Sequence, residues 1–97
     1  MHLEIVTPDK NLFKGEVDYL FCPGSDGSFG ILNNHAPIIA TLKKGIVKVK
    51  IAEENAMRFD NEIGSLVHDN AVGQEVLFNI EGGVVEVLNN KVILLAE

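Results

Sequence analysis

A glycine-rich segment at residues 23–37, PGSDGSFGILNNHAP, contains three residue types that active sites often use. An aspartate, a serine and a histidine stand among three glycines, and the only cysteine of the chain directly precedes them: Asp26, Ser28, His35, Gly24, Gly27, Gly30 and Cys22. Such a set could form a phosphate-binding loop, a cation site, or a nucleophile with its base. Each of these sites requires a particular spacing, which the sequence can be tested against.

The spacings of phosphate and cation sites are missing. A Walker loop would continue with Gly-Lys-Ser/Thr, and a dinucleotide fingerprint would be followed by a helical pattern, but the segment shows neither. The run that begins at Asp26 is a fragment of a calcium loop without its later glutamate. The three histidines have no ligand spacing with one another or with the cysteine. We therefore expect no cofactor and no metal.

A nucleophile pair of Cys22 and His35 is the remaining chemical interpretation. No orienting acid or oxyanion donor accompanies the pair in the sequence. Cys22 stands near the end of an apolar run, which is typical of a small buried hydrophobe. His35 precedes Ala36-Pro37, where a hydrogen-bonded structural histidine is expected. A small hydrolase that uses Cys22 stays a rival reading, and we expect a chain that is not an enzyme.

Charge and composition limit the partners. Fourteen acidic residues stand against eight basic ones, for a net charge of −6, whereas nucleic-acid phosphates require a basic surface. No apolar run approaches the roughly 20 residues that span a bilayer. The N-terminus lacks the basic and apolar regions of a signal peptide. We expect no nucleic-acid binding, no direct membrane insertion, and a reducing compartment, which suits a lone cysteine.

Apolar residues alternate with a period of two along most of the chain, as they do in half-buried strands. The alternation places Val17, Tyr19 and Phe21 on one face of a strand and Asp18 and Leu20 on the other. Turn signals separate the runs, most clearly two adjacent asparagines and two adjacent glycines near the C-terminus. The sequence therefore predicts an all-β, antiparallel sandwich or small barrel.

Three segments depart from simple alternation. Residues 53–74 are long for a hairpin connection, and we expect an extended or partly helical excursion from a single domain that covers residues 1–97. The runs Val92–Leu95 and Pro37–Ala40 are apolar on both faces. Such strands are either covered within the fold or offer one face to a partner. Val85 and Val87 alternate regularly, and we expect Val85 to face the core.

The glycine-rich segment also resembles the signature loop of the epsilon subunit of F-type ATP synthases, which is called delta in mitochondria. That signature reads Pro/Thr-Gly-x-x-Gly-x-x-Gly-Ile, a short turn, and His-Ala-Pro-Leu. The matching residues here are Gly24, Gly27, Gly30, Ile31, His35, Ala36 and Pro37. The opening LEIVTPDKNLFKGEV and the ending GGVVEVLNNKVILLAE are also similar, so the likeness covers nearly the whole chain except residues 53–74.

The resemblance implies a β-sandwich of about ten short strands and a role without catalysis. Subunits of this family sit in the central stalk, where they bind the gamma subunit with one face and the polar loops of the c-ring with their lower edge. They turn with both and couple proton flow to ATP synthesis. The resemblance thus implies a peripheral position on the cytoplasmic face of the bacterial inner membrane, within the ATP synthase.

The resemblance also assigns roles within the glycine-rich segment. The predicted contacts with the c-ring are Asp26, Ser28, Phe29 and Ile31, and the residues that shape the loop are Gly24, Gly27, Gly30, His35 and Pro37. Many relatives carry an acidic residue where Ser28 stands, which leaves Asp26 as the nearer candidate for a charge contact.

Two points stay open from the sequence. Many relatives continue into a two-helix hairpin, and the ending at Glu97 predicts a sandwich with no C-terminal helical hairpin, whether by nature or by truncation. The alternative function is a generic β-sandwich module for protein interaction or ligand binding. Carbohydrate binders of that class usually present exposed aromatic residues, and this chain has no tryptophan and one tyrosine.

Overall fold

Alternating apolar residues build a fold of strands in the computed structural model, which describes residues 1–52 and 75–97. The predicted excursion at residues 53–74 lies outside the described residues. Six strands occur in the described part: β1 (His2–Val6), β2 (Asn11–Gly24), β3 (Gly27–Leu32), β4 (Ile38–Ile51), β5 (Glu75–Leu88) and β6 (Lys91–Ala96). No helix in this part is long and apolar enough to cross a membrane.

The sheet closes on itself. Its strand order is β1-β6-β5-β4-β2-β3, and β1 also pairs with β2, so five strands form a ring and β3 lies outside it against β2. All pairings are antiparallel except that of β1 with β6, which brings the first and last strands side by side in parallel. Closure leaves few unpaired strand edges. The predicted all-β class is confirmed.

The described part has six strands rather than the expected ten or so because three of them are long. β2, β4 and β5 each contain 14 residues, and each pairs with more than one other strand. The bend expected at the two adjacent glycines, Gly82 and Gly83, lies inside a continuous strand. A Cβ atom at Gly83 would collide with the carbonyl oxygen of Leu95, so this crowded position in β5 needs a glycine.

The turn predicted at Asn89–Asn90 is confirmed. It joins β5 to β6, and both residues have positive φ angles, 52° and 61°. Asparagine tolerates this conformation better than most residues, which favours a two-residue turn between twisted strands.

The core is formed by the buried side chains of the closed sheet and follows the predicted alternation in β4 and β5. Val47, Val49 and Val85 are fully buried, whereas the intervening Lys48 and Lys50 are exposed. The twelve largest fully buried side chains are Phe13, Leu3, Ile5, Leu20, Ile31, Ile51, Leu94, Val17, Val47, Val49, Val85 and Val87. No polar or charged residue of the described part is buried.

In β2 the alternation predicted from the sequence is wrong. A β-bulge lies between Val17 and Tyr19, where the pairing with β4 shifts in register. Val17 is buried, but beyond the bulge the buried side chains are Leu20 and Cys22 instead of Tyr19 and Phe21. One extra residue exchanges the two faces of a strand. The aromatic pair therefore lies on the outer surface and not on the side of Val17.

Candidate functional site

The glycine-rich segment folds into a β-hairpin. Gly24 at the end of β2 pairs with Gly27 at the start of β3, and Ser25 and Asp26 form the turn between them. The turn is fastened to β4, because the backbone N–H of Ser25 donates to the carbonyl oxygen of Thr41 at 3.0 Å. The Thr41 hydroxyl also donates to Ser25 Oγ at 3.0 Å. We call the exposed residues 25–28 the hairpin tip.

The glycines of the hairpin make room for aromatic rings. A Cβ atom at Gly24 would lie 2.7 Å from the ring of Phe29, and one at Gly30 would lie 3.2 Å from the ring of Tyr19. A Cβ atom at Gly27 would meet nothing within 4 Å, but the φ angle of 135° at this position is one that other residues rarely adopt. All three glycines thus have a reason in packing or backbone geometry.

The structure separates the four predicted contact residues. Asp26 and Ser28 are exposed at the hairpin tip, and Phe29 is half-buried against the core. Ile31 is fully buried, so its side chain belongs to the core and not to the surface of the hairpin. A shallow hollow of about 400 Å³ lies between the tip and β4, lined by residues that include Asp26, Phe29 and Ile39.

His35 and Pro37 lie in the connection between β3 and β4. The backbone N–H of His35 donates to the carbonyl oxygen of Leu32 at 3.2 Å, and its Nδ1 lies 2.7 Å from the carbonyl oxygen of Ala36. The expectation of a hydrogen-bonded histidine is confirmed. The neighbouring Asn34, with a φ angle of 62°, donates its N–H to the Asn90 side chain at 2.7 Å and so joins two turns.

Cys22 does not have the environment of a nucleophile. It is fully buried, and burial raises the pKa of the Cys22 thiol to about 12. The register places Cys22 opposite Phe29, whereas His35 follows the end of β3, so the suggested pair is not brought together. Within residues 1–52 and 75–97, no group of three or more metal-ligating side chains occurs.

A second surface consists of apolar side chains on the outer side of β4, β5 and β6. Its members are between 37% and 73% exposed, and we call it the β4–β5–β6 face: Ile39, Val84, Leu88, Ile93 and Leu95. Glu86 pairs with both Ile39 and Ile93, and Val84 pairs with Leu95, so the side chains are neighbours. The strands predicted to be apolar on both faces are thus buried on one face only.

The β4–β5–β6 face is continuous with the hairpin tip. Ile39 lines the hollow beside the tip and also a second hollow of about 390 Å³ on the face itself. Sequence reasoning had singled out the runs at Pro37–Ala40 and Val92–Leu95, but it missed Val84 and Leu88. The signal for these two was present, since apolar residues follow one another without a break at Val84-Val85 and Val87-Leu88.

Residues 1–60 match the family described as the β-sandwich domain of the ATP synthase delta/epsilon chain. The ATP synthase epsilon chain of Leptospira interrogans (strain Fiocruz L1-130) is 35% identical over 97 residues, which are 100% of this chain and 61% of the relative. The chain therefore spans less than two-thirds of that protein. The epsilon chain of Chlorobium limicola is 40% identical over 95 residues, 98% of this chain and 86% of the relative.

Two solved structures share the fold. One is the central stalk and c-ring of Tetrahymena thermophila mitochondrial ATP synthase, with a TM-score of 0.66 and 22% identity over 99% of this chain and 62% of the other. The second is from Euglena gracilis mitochondrial ATP synthase, with a TM-score of 0.72 and 21% identity over 97% of this chain and 48% of the other. At these identities the likeness shows a common architecture.

Proposed function

The chain belongs to the family of β-sandwich domains of the ATP synthase delta/epsilon chain, and from this premise we propose that it is a non-catalytic subunit of the central stalk of a proton-translocating F-type ATP synthase. The observation that carries the proposal is the likeness to epsilon chains over the whole chain, including the hairpin. Residues 1–97 act as one domain. It belongs to a membrane-associated complex, on the cytoplasmic face of the bacterial inner membrane.

The proposed role is mechanical. A stalk subunit that turns with its neighbours must hold them at a fixed distance and orientation, which requires a stiff body with two docking surfaces. A closed sheet with a packed core suits this task, since few of its strand edges are free to move apart. We assign these two roles to the hairpin tip and the β4–β5–β6 face.

The hairpin tip is the proposed contact with the c-ring. Its two hydrogen bonds to Thr41 fix it in place, so little entropy is lost on docking. Asp26 presents a carboxylate to basic residues of the ring's polar loops, and the small Ser28 allows close approach. An exposed ion pair contributes only about 0.2–1 kcal/mol and weakens with salt. Phe29 supplies apolar contact beside it.

The β4–β5–β6 face is the proposed contact with the gamma subunit. Its exposed apolar side chains, led by Ile39 at 73% exposure, would be covered in a complex. Removing such a surface from water stabilises an interface by roughly 25 cal/mol per Å² before the costs of association. Because Ile39 reaches both surfaces, gamma and the ring would meet this subunit side by side.

The test of the ring contact is a disulfide crosslink. In the assembled complex, Ser28→Cys in a Cys22→Ala background is combined with a cysteine in the polar loop of the ring subunit. We expect a crosslink that stops coupled ATP synthesis and is reversed by reductant. The control is Lys50→Cys in the same background, because Lys50 is exposed on another part of the sheet. A Ser28→Cys crosslink to gamma and none to the ring would show that the domain is oriented the other way.

A further inference from the structure

One carboxylate stands at the centre of the apolar β4–β5–β6 face. The register places Glu86 between Ile39 on β4 and Ile93 on β6. Along β5 itself, Val84 and Leu88 lie two residues away, on the same outward side of the strand. Glu86 is exposed as well. A partner that covers these four apolar neighbours must therefore also cover the carboxylate.

Among the residues that the structure describes, the side chain of Glu86 has no hydrogen bond and no ion pair. Lys91 lines a hollow of about 310 Å³ together with Glu86, but the two do not form an ion pair. Glu4, the carboxylate beyond Ile93, lies 3.2 Å from His2 Nε2. Glu86 thus offers a docking partner a negative charge that no described neighbour neutralises.

The hollow on the β4 side of Glu86 is apolar apart from this carboxylate. Its volume is about 390 Å³, and its lining residues are Pro37, Ile38, Ile39, Glu86, Val87 and Leu88. A long basic side chain suits such a hollow, because its aliphatic stem packs on apolar groups while its charged end reaches the carboxylate. Ala52 and Glu75, which border residues 53–74, lie at the opposite ends of β4 and β5 from this hollow.

We propose that the partner of the β4–β5–β6 face inserts a lysine or arginine side chain into this hollow, where it pairs with Glu86 and fixes the register of docking. The inference rests on the proposed function, because it takes that partner to be the gamma subunit. Covering a carboxylate with apolar surface and no cation is costly. A surface without a basic side chain at this point would therefore be rejected, so Glu86 determines specificity while its apolar neighbours supply contact area.

The test is calorimetric titration of purified gamma with the protein and with two Glu86 variants. Glu86→Gln keeps the shape of the side chain but leaves the basic group of gamma unpaired, and Glu86→Lys places a like charge against it. We expect Glu86→Gln to weaken binding at least about tenfold and Glu86→Lys at least about 100-fold, because breaking a covered charge pair leaves the other charge buried. Thermal unfolding should show that both variants fold, since Glu86 is exposed.

Glu75→Lys is the matched control. Glu75 is exposed at the other end of the same strand, and its substitution changes the net charge by as much as Glu86→Lys does. It should change the affinity by less than about twofold, because salt screens charges that lie outside the contact. Equal losses with Glu75→Lys and Glu86→Lys would overturn the proposal, as would a Glu86→Gln variant that binds gamma as tightly as the protein does.

Charge reversal then identifies the group that meets Glu86. Single Lys→Glu and Arg→Glu variants of gamma are tested for one that restores binding of Glu86→Lys, which we expect for one position. The same reversal is made within this chain at Lys91 and at Arg58, the one lysine or arginine of residues 53–74. Restoration by Lys91→Glu or Arg58→Glu would overturn the proposal. A dimer of the isolated protein that Glu86→Lys dissociates, seen by sedimentation, would do so too.

Failure of this inference is distinguishable from failure of the gamma contact. Ile39→Ser tests the apolar contact without altering the carboxylate. A loss of affinity with Ile39→Ser and none with Glu86→Gln would reject the charge pair alone. No loss with either variant would reject the assignment of gamma to the β4–β5–β6 face, and the charge pair with it.

Discussion

Two aromatic side chains of the hairpin lie over glycines of the neighbouring strand. Phe29 of β3 covers Gly24 of β2, and Tyr19 of β2 covers Gly30 of β3. Glycines next to a serine and an aspartate suggested a binding loop, but here they allow two strands and two rings to pack closely. At the scale of the residue, the glycines of the hairpin allow close packing, and the exposed hairpin tip remains available for contact.

Gly24→Ala is expected to destabilise the protein. The added Cβ would lie 2.5 Å from the carbonyl oxygen of Gly27 and 2.7 Å from the ring of Phe29, so the ring and the turn must both move. Overpacking of this kind costs typically 1–3 kcal/mol. Urea unfolding measures the change in the free energy of unfolding. Ser28→Ala, at the exposed tip, is the control, and an equal loss in both variants would contradict this account.

Cys22 is expected to make stability fall at high pH. Burial raises the pKa of its thiol from 9.0 to about 12. Between these values the unfolded chain releases the proton and the folded chain keeps it. The free energy of unfolding therefore falls as pH rises above 9, by at most about 1.4 kcal/mol per pH unit from this group. The contribution of the protonated Cys22 thiol to the free energy of unfolding is fully present below pH 9.

The measurement is urea unfolding at pH 8, 9 and 10 for the protein and for Cys22→Ala. The variant should be less stable at pH 8, since it loses buried volume, but its stability should fall less steeply from pH 9 to 10. Ellman's reagent at pH 8 should leave the folded thiol unmodified and react with it in 8 M urea. Parallel slopes for the two proteins would show that the thiol ionises equally in both states.

At the scale of the strand, neighbouring residues of β5 differ sharply in their surroundings. Val85 is fully buried, while Val84 is 37% exposed on the β4–β5–β6 face. We expect Val85→Asp to abolish cooperative folding, because an unpaired carboxylate in the core costs several kcal/mol. That cost is comparable with the whole stability of a small domain, about 5–15 kcal/mol. Circular dichroism during thermal unfolding measures the loss.

Val84→Asp is the matched control for this substitution. Its carboxylate would remain in water, so the melting transition should stay cooperative. A folded Val85→Asp variant beside an unfolded Val84→Asp variant would mean that the two faces of β5 are exchanged.

The alternation of apolar residues predicts which side chains of a strand are buried only where no bulge interrupts the strand. It placed the core correctly in β4 and β5, where Val49 and Val85 are buried. It failed in β2, because the bulge after Val17 depends on how β2 pairs with β4, some 30 residues away in the chain. The glycines near residue 82 likewise look like the end of a strand. Only the pairing with β4 on both sides shows that β5 continues.

At the scale of the molecule, the sequence supported the fold class and the family, but not the arrangement of its surfaces. The glycine-rich segment pointed to the hairpin, yet the burial of Ile31 follows from its place opposite Leu20, which no local pattern reveals. The sequence also did not show which apolar residues lie on the outer surface, because the same residue types occur at covered and at exposed strand positions. Exposure depends on which strands close the sheet.

The last prediction concerns gamma, which we propose binds the β4–β5–β6 face. Ile39→Ser should weaken binding of purified gamma by about 2 kcal/mol, or roughly 30-fold, because central apolar side chains carry much of an interface's energy. The melting temperature of the Ile39→Ser variant itself should change little, since Ile39 is 73% exposed. Calorimetric titration with gamma measures the affinity. Leu77→Ser, at an exposed position near the start of β5, should leave the affinity unchanged. The double variant should match Ile39→Ser alone, because distant sites act independently. Weaker binding with Leu77→Ser and normal binding with Ile39→Ser would assign gamma to the surface around Leu77 instead.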